Sequence, residues 1–259
     1  MKTPRFSRRR LFLGALGAIP VGIVAHAGWL EPRWLKIRRI RLAPPQAHAL
    51  RVLHFTDLHH KGDRDLLFKV VRKINELKPD LVCFTGDLIE EREHLAETLE
   101  ILAEMKHPLY GVPGNHDYWA QVPFEGIARC FASTGGGWLL DEQRVVADGK
   151  WSLYGATCLG AKGPPIRINP STRNLLLIHY PAWVKRVDER FDLVLAGHSH
   201  GGQVRIPWIG PLMLPFGVEG YDQGLFETAV GPLYVNPGIG WFAVPIRFNC
   251  RPELTMFEV

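Results

Sequence analysis

Residues 50–112 alternate between short apolar runs and amphipathic stretches, and this order constrains the fold more than any other feature of the chain. The apolar runs at 50–56, 81–85 and 108–112 have the length and composition of buried strands. Between them, residues 65–78 and 94–106 carry apolar side chains at helical spacing. A β-α-β-α-β order predicts a parallel sheet with right-handed crossovers.

The pattern changes after residue 126. A short helix at 126–133 precedes three strands that begin near Trp138, Arg144 and Trp151, and we expect these to be antiparallel members of a second sheet. Further strands are predicted at 173–178, 191–196, 233–236, 242–248 and 254–259. We therefore expect an α/β fold with two mixed sheets packed face to face and helices outside, as one domain over residues 50–259.

The formal charge of +5 arises from the first ten residues. They hold five Lys and Arg residues and no acid, which leaves 26 basic and 26 acidic residues in the rest of the chain. A basic face is not indicated, so no nucleic-acid partner is expected. The four cysteines show no metal-binding spacing and are interpreted as small core residues: Cys83, Cys130, Cys158 and Cys250.

Residues 1–27 have the layout of a signal peptide. A basic head is followed by an uncharged apolar run, residues 11–25, and by a small-x-small cleavage pattern at Ala25-His26-Ala27. Arg9-Arg10-Leu11-Phe12-Leu13 resembles the twin-arginine export motif, which implies the twin-arginine machinery as a partner. The alternative is a retained N-terminal anchor, since residues 11–30 are numerous enough to span a bilayer. The chain is expected to be exported or membrane-associated, on the extracytoplasmic side, with the cytoplasmic face of the inner membrane as the alternative.

Residues 28–49 combine basic side chains with two tryptophans, Trp29 and Trp34. Such a composition suits an anionic membrane surface. The simpler interpretation is a first strand at 35–42 with an exposed charged face. The two interpretations are compatible, so this stretch is predicted to be a juxtamembrane segment that includes the first strand.

Polar side chains follow the carboxyl ends of five successive predicted strands. They are Asp57 and His59, Asp87, Asn115 and His116, His179, and His198 and His200. In open α/β sheets ligands bind at that edge. One such residue alone is more often a helix cap or a surface side chain, but recurrence at five strand ends predicts one shared site. Mixed carboxylate, amide and imidazole donors suit Mn, Fe or Zn.

In order and spacing, these motifs resemble those of the calcineurin-like metallophosphoesterases over about residues 50–240. The motifs are Asp57-x-His59, Gly86-Asp87, Gly114-Asn115-His116-Asp117, His179 and Gly197-His198-x-His200. The Arg-Arg leader resembles that of the exported or membrane-associated bacterial branch. The resemblance implies a four-layer αββα sandwich and hydrolysis of a phosphodiester or phosphomonoester, with a phosphorylated small molecule or a lipid-linked compound as substrate.

The resemblance also implies roles for these residues and two divalent ions as cofactors, Mn²⁺ first and Fe or Zn as alternatives. One ion would be held by Asp57, His59 and His200, the other by Asn115, His179 and His198, and Asp87 would bridge both. A hydroxide between the ions would attack phosphorus. His116 would protonate the leaving group, with Asp117 orienting its ring. Glu90 is not counted as a ligand and is expected to be exposed or behind the ligands, and His60 is given no role.

The resemblance leaves two other functions open. One is a UDP-2,3-diacylglucosamine pyrophosphatase of lipid A synthesis, a cytoplasmic reaction that conflicts with the export motif. The other is a non-catalytic scaffold, which would be expected to lack some of the ligands. Hydrolysis of bis-p-nitrophenyl phosphate before and after chelation distinguishes a scaffold from an enzyme.

Residues 206–217 form an apolar segment whose three prolines and two glycines forbid a regular helix or a central strand. One interpretation is that it folds back and completes the core. The other is that it stays exposed beside the site and contacts a membrane or acyl chains, since contiguous exposed apolar patches mark interaction surfaces.

Overall fold

The computed structural model describes residues 19–42, 49–158 and 166–259, and the structural statements below refer to these residues. The predicted export motif lies outside them, as does part of the predicted juxtamembrane segment. No helix within these three stretches combines the length and the apolar character needed to cross a membrane.

Fourteen strands run through the described residues. In chain order they are β1 (Lys36–Arg41), β2 (Arg51–Phe55), β3 (Leu81–Phe84), β4 (Leu109–Gly111), β5 (Gly137–Trp138), β6 (Glu142–Val146), β7 (Trp151–Gly155), β8 (Arg173–Leu177), β9 (Leu193–Ala196), β10 (Arg205–Ile206), β11 (Gly210–Pro211), β12 (Gly224–Thr228), β13 (Gly231–Val235) and β14 (Glu253–Glu258).

Helices occupy the start of the described chain and the connections between the early strands. A helical stretch at 19–25 continues into single turns at His26–Leu30 and Glu31–Arg33. The later α-helices are α1 (Arg64–Leu77), α2 (Leu95–Leu102), α3 (Asn115–Trp119) and α4 (Phe124–Ser133). Short 3-10 helices lie at Arg92–His94, Pro181–Arg186 and His200–Gly202.

The sequence of α1 explains its boundaries. Asp63 caps the N-terminus, because its Oδ1 accepts a hydrogen bond from the backbone N–H of Leu66 at 3.1 Å. Val70 and Ile74 recur at helical spacing and are buried. The helix ends before Lys78, whose φ of 50° is left-handed. The predicted helix at 65–78 is thus confirmed to within one residue.

The first sheet has the strand order β1-β14-β2-β3-β4-β5. From β2 to β5 each strand is parallel to the next, as the β-α-β-α-β order predicts. At the other side, β14 pairs antiparallel with β2 and parallel with β1. The C-terminal strand therefore joins β1 to the rest of the sheet.

The second sheet has the order β12-β13-β9-β8-β7-β6. Its four inner strands are mutually parallel, and β12 and β6 pair antiparallel at the two edges. Both sheets are therefore mixed, as predicted. A separate two-stranded hairpin, β10 with β11, follows the histidine-rich loop.

Apolar side chains fill the space between the two sheets and the outer face of each. Val52 and Cys83 from the first sheet meet Leu175 from the second. On the opposite face of the first sheet, Leu53 packs in a cluster with residues of α1, α2 and α4. Among the described residues, the 3-10 helix Pro181–Arg186 and loops cover the outer face of the second sheet. The two-sheet sandwich is confirmed, and its fourth layer consists of a short 3-10 helix and loops.

The placement of Trp138 in the second sheet is wrong. It lies in β5, which pairs parallel with β4 in the first sheet. Because β5 is only two residues long, its sequence pattern cannot indicate a partner. The predicted strand at 242–248 is also wrong, since Pro245 has no N–H to donate to a ladder and Ala243 adopts a left-handed φ of 57°.

The segment at 206–217 does not complete the core. The side chains of Trp208, Met213 and Phe216 are exposed over most of their surface. Of the two interpretations of this segment, the exposed apolar loop is therefore the one that agrees with the structure. The cysteines behave as predicted, because all four are buried free thiols.

Candidate metal centre

The predicted site residues lie just beyond strand ends of both sheets. Asp57 follows β2 and Asp87 follows β3, while Asn115 is the first residue of α3 after β4. His179 follows β8, and the histidine pair follows β9. The site therefore lies where the carboxyl edges of the two sheets meet, and each strand contributes a ligand through a short loop.

Five of the seven predicted ligands have a left-handed backbone. Their φ angles are 51° at Asp57, 39° at His59, 61° at Asp87, 66° at His198 and 50° at His200. Residues other than glycine adopt this conformation at a free-energy penalty, and such residues cluster at functional sites. The fold therefore keeps strained backbone where it turns these side chains toward one another.

Two glycines allow the loops after β3 and β4 to touch. A Cβ on Gly86, which also has a φ of 102°, would lie 2.5 Å from the backbone nitrogen of Gly114. A Cβ on Gly114 would lie 2.1 Å from Oδ1 of Asp87. Neither position has room for a side chain, which explains the glycine in each motif.

One group of donors comprises Asp57, His59 and His200, all buried. The Nε2 atoms of the two histidines are 3.0 Å apart. Oδ1 of Asp57 lies 3.8 Å from Nε2 of His59 and 3.4 Å from Nε2 of His200. These atoms are close enough to bind one ion.

A second group comprises His179, His198 and Asn115. Nε2 of His179 lies 3.1 Å from Nδ1 of His198 and 2.9 Å from Oδ1 of Asn115. Asp87 belongs to this group as well, because its Oδ2 is 3.3 Å from Nε2 of His179. All four residues are buried.

Asp87 lies between the two groups. The same Oδ2 atom is 3.4 Å from Nε2 of His59, a member of the first group. Its Oδ1 accepts a hydrogen bond from the backbone N–H of His116 at 2.8 Å, which fixes the carboxylate. One carboxylate thus faces both groups, in the position that a bridging ligand requires.

Hydrogen bonds behind the histidines decide which ring nitrogen faces the site. Nδ1 of His179 donates to the carbonyl of Thr85 at 2.7 Å. Nε2 of His198 donates to the carbonyl of Phe216 at 2.7 Å. In each ring the other nitrogen is left as an acceptor directed into the site, which is the arrangement of a metal ligand.

The carboxylates give the site a preference for positive charge. Burial alone would lower the pKa of His179, but the carboxylates of Asp87 and Asp57 raise it to about 9. Burial would also lower the pKa of His59, but Asp57, Asp87 and Glu90 outweigh this effect and raise it. Carboxylates that stabilise imidazolium also stabilise a bound cation.

The donor set fits two divalent ions. It contains four imidazoles, two carboxylates and one amide oxygen, converging at 2.9 to 3.8 Å. Nδ1 of His200 is buried and has no hydrogen-bond partner within the described part of the chain. Because no thiolate takes part, the donors suit metals such as Mn, Fe or Zn.

His116 and Glu90 form a pair at the edge of the first group. Nδ1 of His116 lies 3.1 Å from Oε2 of Glu90, and the same oxygen accepts a hydrogen bond from Nδ1 of His59 at 2.7 Å. Burial would raise the pKa of Glu90, and the two imidazoles hold it well below its usual range. Glu90 therefore lies behind the predicted ligand His59, which is one of the two positions expected for it. It also contacts His116.

Asp117 does not orient the ring of His116, so that prediction is wrong. Its carboxylate accepts three backbone N–H bonds, from Asp87 at 3.0 Å, Leu88 at 2.9 Å and Gly114 at 2.8 Å. Burial and the nearby Asp87 raise its pKa to about 7. Asp117 thus fixes the two loops that carry Asp87 and Asn115.

Sequence patterns did not identify the aromatic residues at the site. The Phe242 ring centroid is 5.4 Å from that of His116, and the Trp119 centroid is 4.7 Å from it. Phe242 lies far along the chain and in no motif, so only the fold reveals it. His60 points away and bonds Oε1 of Glu97 at 2.6 Å.

Comparison with known proteins gives a consistent result. The model of the family described as calcineurin-like phosphoesterase matches residues 50–202. The uncharacterised metallophosphoesterase YkuE of Bacillus subtilis is 29% identical, over 98% of both chains. Phosphodiesterase YaeI of Escherichia coli is 30% identical, over 98% of this chain and 99% of its own. UDP-2,3-diacylglucosamine pyrophosphatase LpxG of Chlamydia trachomatis is 26% identical, over 93% of this chain and 94% of its own. The similarity therefore extends beyond the family's motifs to nearly the whole chain.

Proposed function

Since this chain belongs to the calcineurin-like phosphoesterase family and is therefore a phosphoester hydrolase with a dinuclear divalent metal centre, we propose that it cleaves phosphodiester bonds and that Asp87 bridges the two ions. The observation that carries the bridged metal centre is the position of the Asp87 carboxylate. Its Oδ2 faces His59 at 3.4 Å and His179 at 3.3 Å, and these belong to different groups of donors.

The remaining donors divide between the two ions according to these distances. Asp57, His59 and His200 hold one ion, and Asn115, His179 and His198 hold the other. When bound, the ions supply positive charge that activates water and stabilises the phosphoryl oxygens. We expect Mn²⁺ in both positions, with Fe or Zn as alternatives, because the donors are nitrogen and oxygen without sulfur.

His116 is the proton donor in this proposal. Its Nδ1 is directed to Glu90, so Nε2 is the nitrogen that is left for the substrate. A proton delivered from this atom to the leaving oxygen avoids the release of an alkoxide, and Glu90, 3.1 Å from Nδ1, holds the ring in place.

The choice of a diester rests on a relative, since the phosphodiesterase YaeI matches this chain almost from end to end. A second candidate is the reaction of LpxG, the hydrolysis of UDP-2,3-diacylglucosamine at its pyrophosphate. That candidate is supported by a match over 93% of this chain. The seven donors bind the metal ions and do not distinguish a pyrophosphate substrate from a diester.

We also propose that the enzyme acts outside the cytoplasm, at the membrane, after twin-arginine export. The support is the Arg9-Arg10 motif and the uncharged run at 11–25. A reporter fused after residue 259 tests this location. A reporter active only in the cytoplasm would favour the LpxG reaction instead.

The proposed activity is tested with bis-p-nitrophenyl phosphate and p-nitrophenyl phosphate as diester and monoester. We expect Mn²⁺-dependent hydrolysis that is faster for the diester and is abolished by chelation and restored by Mn²⁺. Faster hydrolysis of the monoester would contradict the diester assignment. No hydrolysis of either compound, or of a pyrophosphate, in the metal-loaded protein would indicate a scaffold.

A further inference from the structure

The most exposed apolar side chains of the described residues lie on loops beside the metal centre. On the segment 206–217, Trp208 is 102%, Met213 78% and Phe216 92% exposed. This segment contains no charged residue. Apolar loops of this size are normally covered by a partner or a lipid phase.

A second exposed apolar segment, residues 241–246, is attached to the first. Nε2 of Gln203 donates to the carbonyls of Val244 at 3.2 Å and Ile246 at 3.1 Å, and the backbone N–H of Phe242 donates to Oε1 of Gln203. Phe242 and Val244 are 45% and 50% exposed. This segment also lacks charge, and Gln203 holds it next to the chain that leads into the first segment.

We call the five exposed apolar residues named on these two segments, together with Trp119 of α3, the apolar rim. They are Trp119, Trp208, Met213, Phe216, Phe242 and Val244.

The apolar rim borders the proposed active site. Phe242 and Trp119 both contact the ring of His116. The backbone carbonyl of Phe216 accepts the hydrogen bond that orients His198. Whatever covers the rim therefore lies directly beside the phosphoester that the site binds.

The N-terminal segment approaches the same region. The backbone N–H of Arg247 donates to the carbonyl of Ala27 at 2.9 Å, directly after the second apolar segment. A cleft of about 240 Å³ is lined by Gly28 and Arg33 on one side and by His59 and Trp241 on the other. The helical residues 19–25 therefore emerge from the body of the protein close to the rim.

A lipid bilayer is the occupant that these observations favour. The exposed helical residues 19–25 are the end of a sequence, 11–25, that carries no charge, and the exposed Trp29 follows them. A chain segment of this kind partitions to a membrane and Trp side chains prefer its interface. A protein partner or a second copy would leave this continuity unexplained.

We propose that the apolar rim inserts into a lipid bilayer, so that the metal centre acts on phosphoesters at the depth of the lipid headgroups. The substrate is thus a membrane lipid or a lipid-linked phosphoester. The choice of substrate rests on the proposed function, while the insertion of the rim does not.

Insertion is measured in the full chain with a fluorophore at position 208. Trp208→Cys is labelled with an environment-sensitive dye, and Val145→Cys, on the edge strand β6 and 58% exposed, is the matched control. The native cysteines are buried, which directs labelling to the introduced thiol. The protein is mixed with phosphatidylcholine vesicles that contain spin-labelled lipid, in high salt.

We expect the dye at 208 to shift to the blue and to be quenched by the spin label, and the dye at 145 to show neither change. Absence of quenching at 208 would overturn the proposal. So would a blue shift that requires no vesicles and grows with protein concentration, because a second copy would then cover the rim.

The double variant Trp208→Ser/Met213→Ser separates lipid access from chemistry. Its hydrolysis of a phosphodiester lipid in vesicles should fall by about tenfold or more, the effect of losing even one inserted apolar side chain. Hydrolysis of bis-p-nitrophenyl phosphate should remain unchanged. Equal losses of the double variant on both substrates would overturn the proposal. A wild-type protein that is inactive on both substrates would contradict the proposed function, but the quenching experiment would still test insertion.

Discussion

Single residues at the metal centre can hold two neighbours at once. Glu90 illustrates this, since one carboxylate oxygen contacts both His59 and His116. Asp117 illustrates the opposite case, because its carboxylate is fully used by backbone N–H groups. Asp117 is part of a motif and Glu90 lies three residues after one, but only the contacts show their roles.

The role of His116 is tested by varying the leaving group. His116→Ala should lower turnover by about 10²–10⁴-fold for phosphodiesters with alkyl leaving groups, if its ring delivers a proton. The loss should be much smaller for p-nitrophenolate, which leaves without a proton. Equal losses for both leaving groups, measured at saturating Mn²⁺, would indicate that His116 only positions the substrate.

The sequence was sufficient to predict the seven donors as one site, because the carboxyl ends of neighbouring strands converge whatever the details of their loops. It was not sufficient for Glu90 or Phe242. Their contacts depend on how far a loop extends toward another loop, and no periodic pattern encodes that distance. The left-handed backbone at the ligands was equally hidden, since nothing in the chain marks it in advance.

At the scale of elements, the N-terminal segment is part of the folded body. Glu31 is 2% exposed, and its Oε1 accepts a hydrogen bond from the backbone N–H of Cys250 at 2.6 Å. The thiol of Cys250 in turn donates to the carbonyl of His200 at 3.2 Å. The segment thereby contacts the loop that carries two predicted ligands.

Substitution of Glu31 tests this packing. Glu31→Ala should lower the free energy of unfolding by about 1–3 kcal/mol, because it leaves the N–H of Cys250 buried without an acceptor. Glu93→Ala, whose side chain is 74% exposed, is the control and should change stability little. The measurement is urea unfolding in the presence of Mn²⁺. Equal midpoints for the two variants would show that the segment is dispensable.

Long periodic elements were predicted well and short ones were not. The helix α1 has four buried positions at helical spacing, so its ends could be predicted to within one residue. The conformations of the two-residue strand β5 and of the irregular residues 242–248 depend on the parts of the fold that contact them. In both cases tertiary contacts decide a conformation for which the local sequence carries little information.

At the scale of the whole molecule, the charges of the metal centre link stability to pH. In the folded protein without metal, the pKa of His179 is raised from 6.5 to about 9. A raised pKa means that the folded state binds the proton more tightly than the unfolded state. Its contribution to stability is therefore fully present below about pH 6.5 and is lost as the pH rises through about 9.

The melting temperature of the chelated protein should accordingly fall between pH 6.5 and pH 9.5. Protons and metal compete for the same imidazoles, so stabilisation by added Mn²⁺ should grow over the same interval. His179→Gln should make this fall smaller without abolishing it, because the pKa values of His59 and Asp117 are raised as well. A chelated wild-type protein with a melting temperature that is constant or rises across this interval would contradict the charge distribution described for the site.

The metal content and turnover of Asp87→Asn test the bridged centre most directly. The substitution preserves the shape of the side chain and removes the charge that faces both groups of donors. We predict two ions per chain in the wild type, fewer in the variant, and near-total loss of bis-p-nitrophenyl phosphate hydrolysis with an unchanged circular dichroism spectrum. Two tightly bound ions and wild-type turnover in Asp87→Asn would show that Asp87 does not bridge the metals.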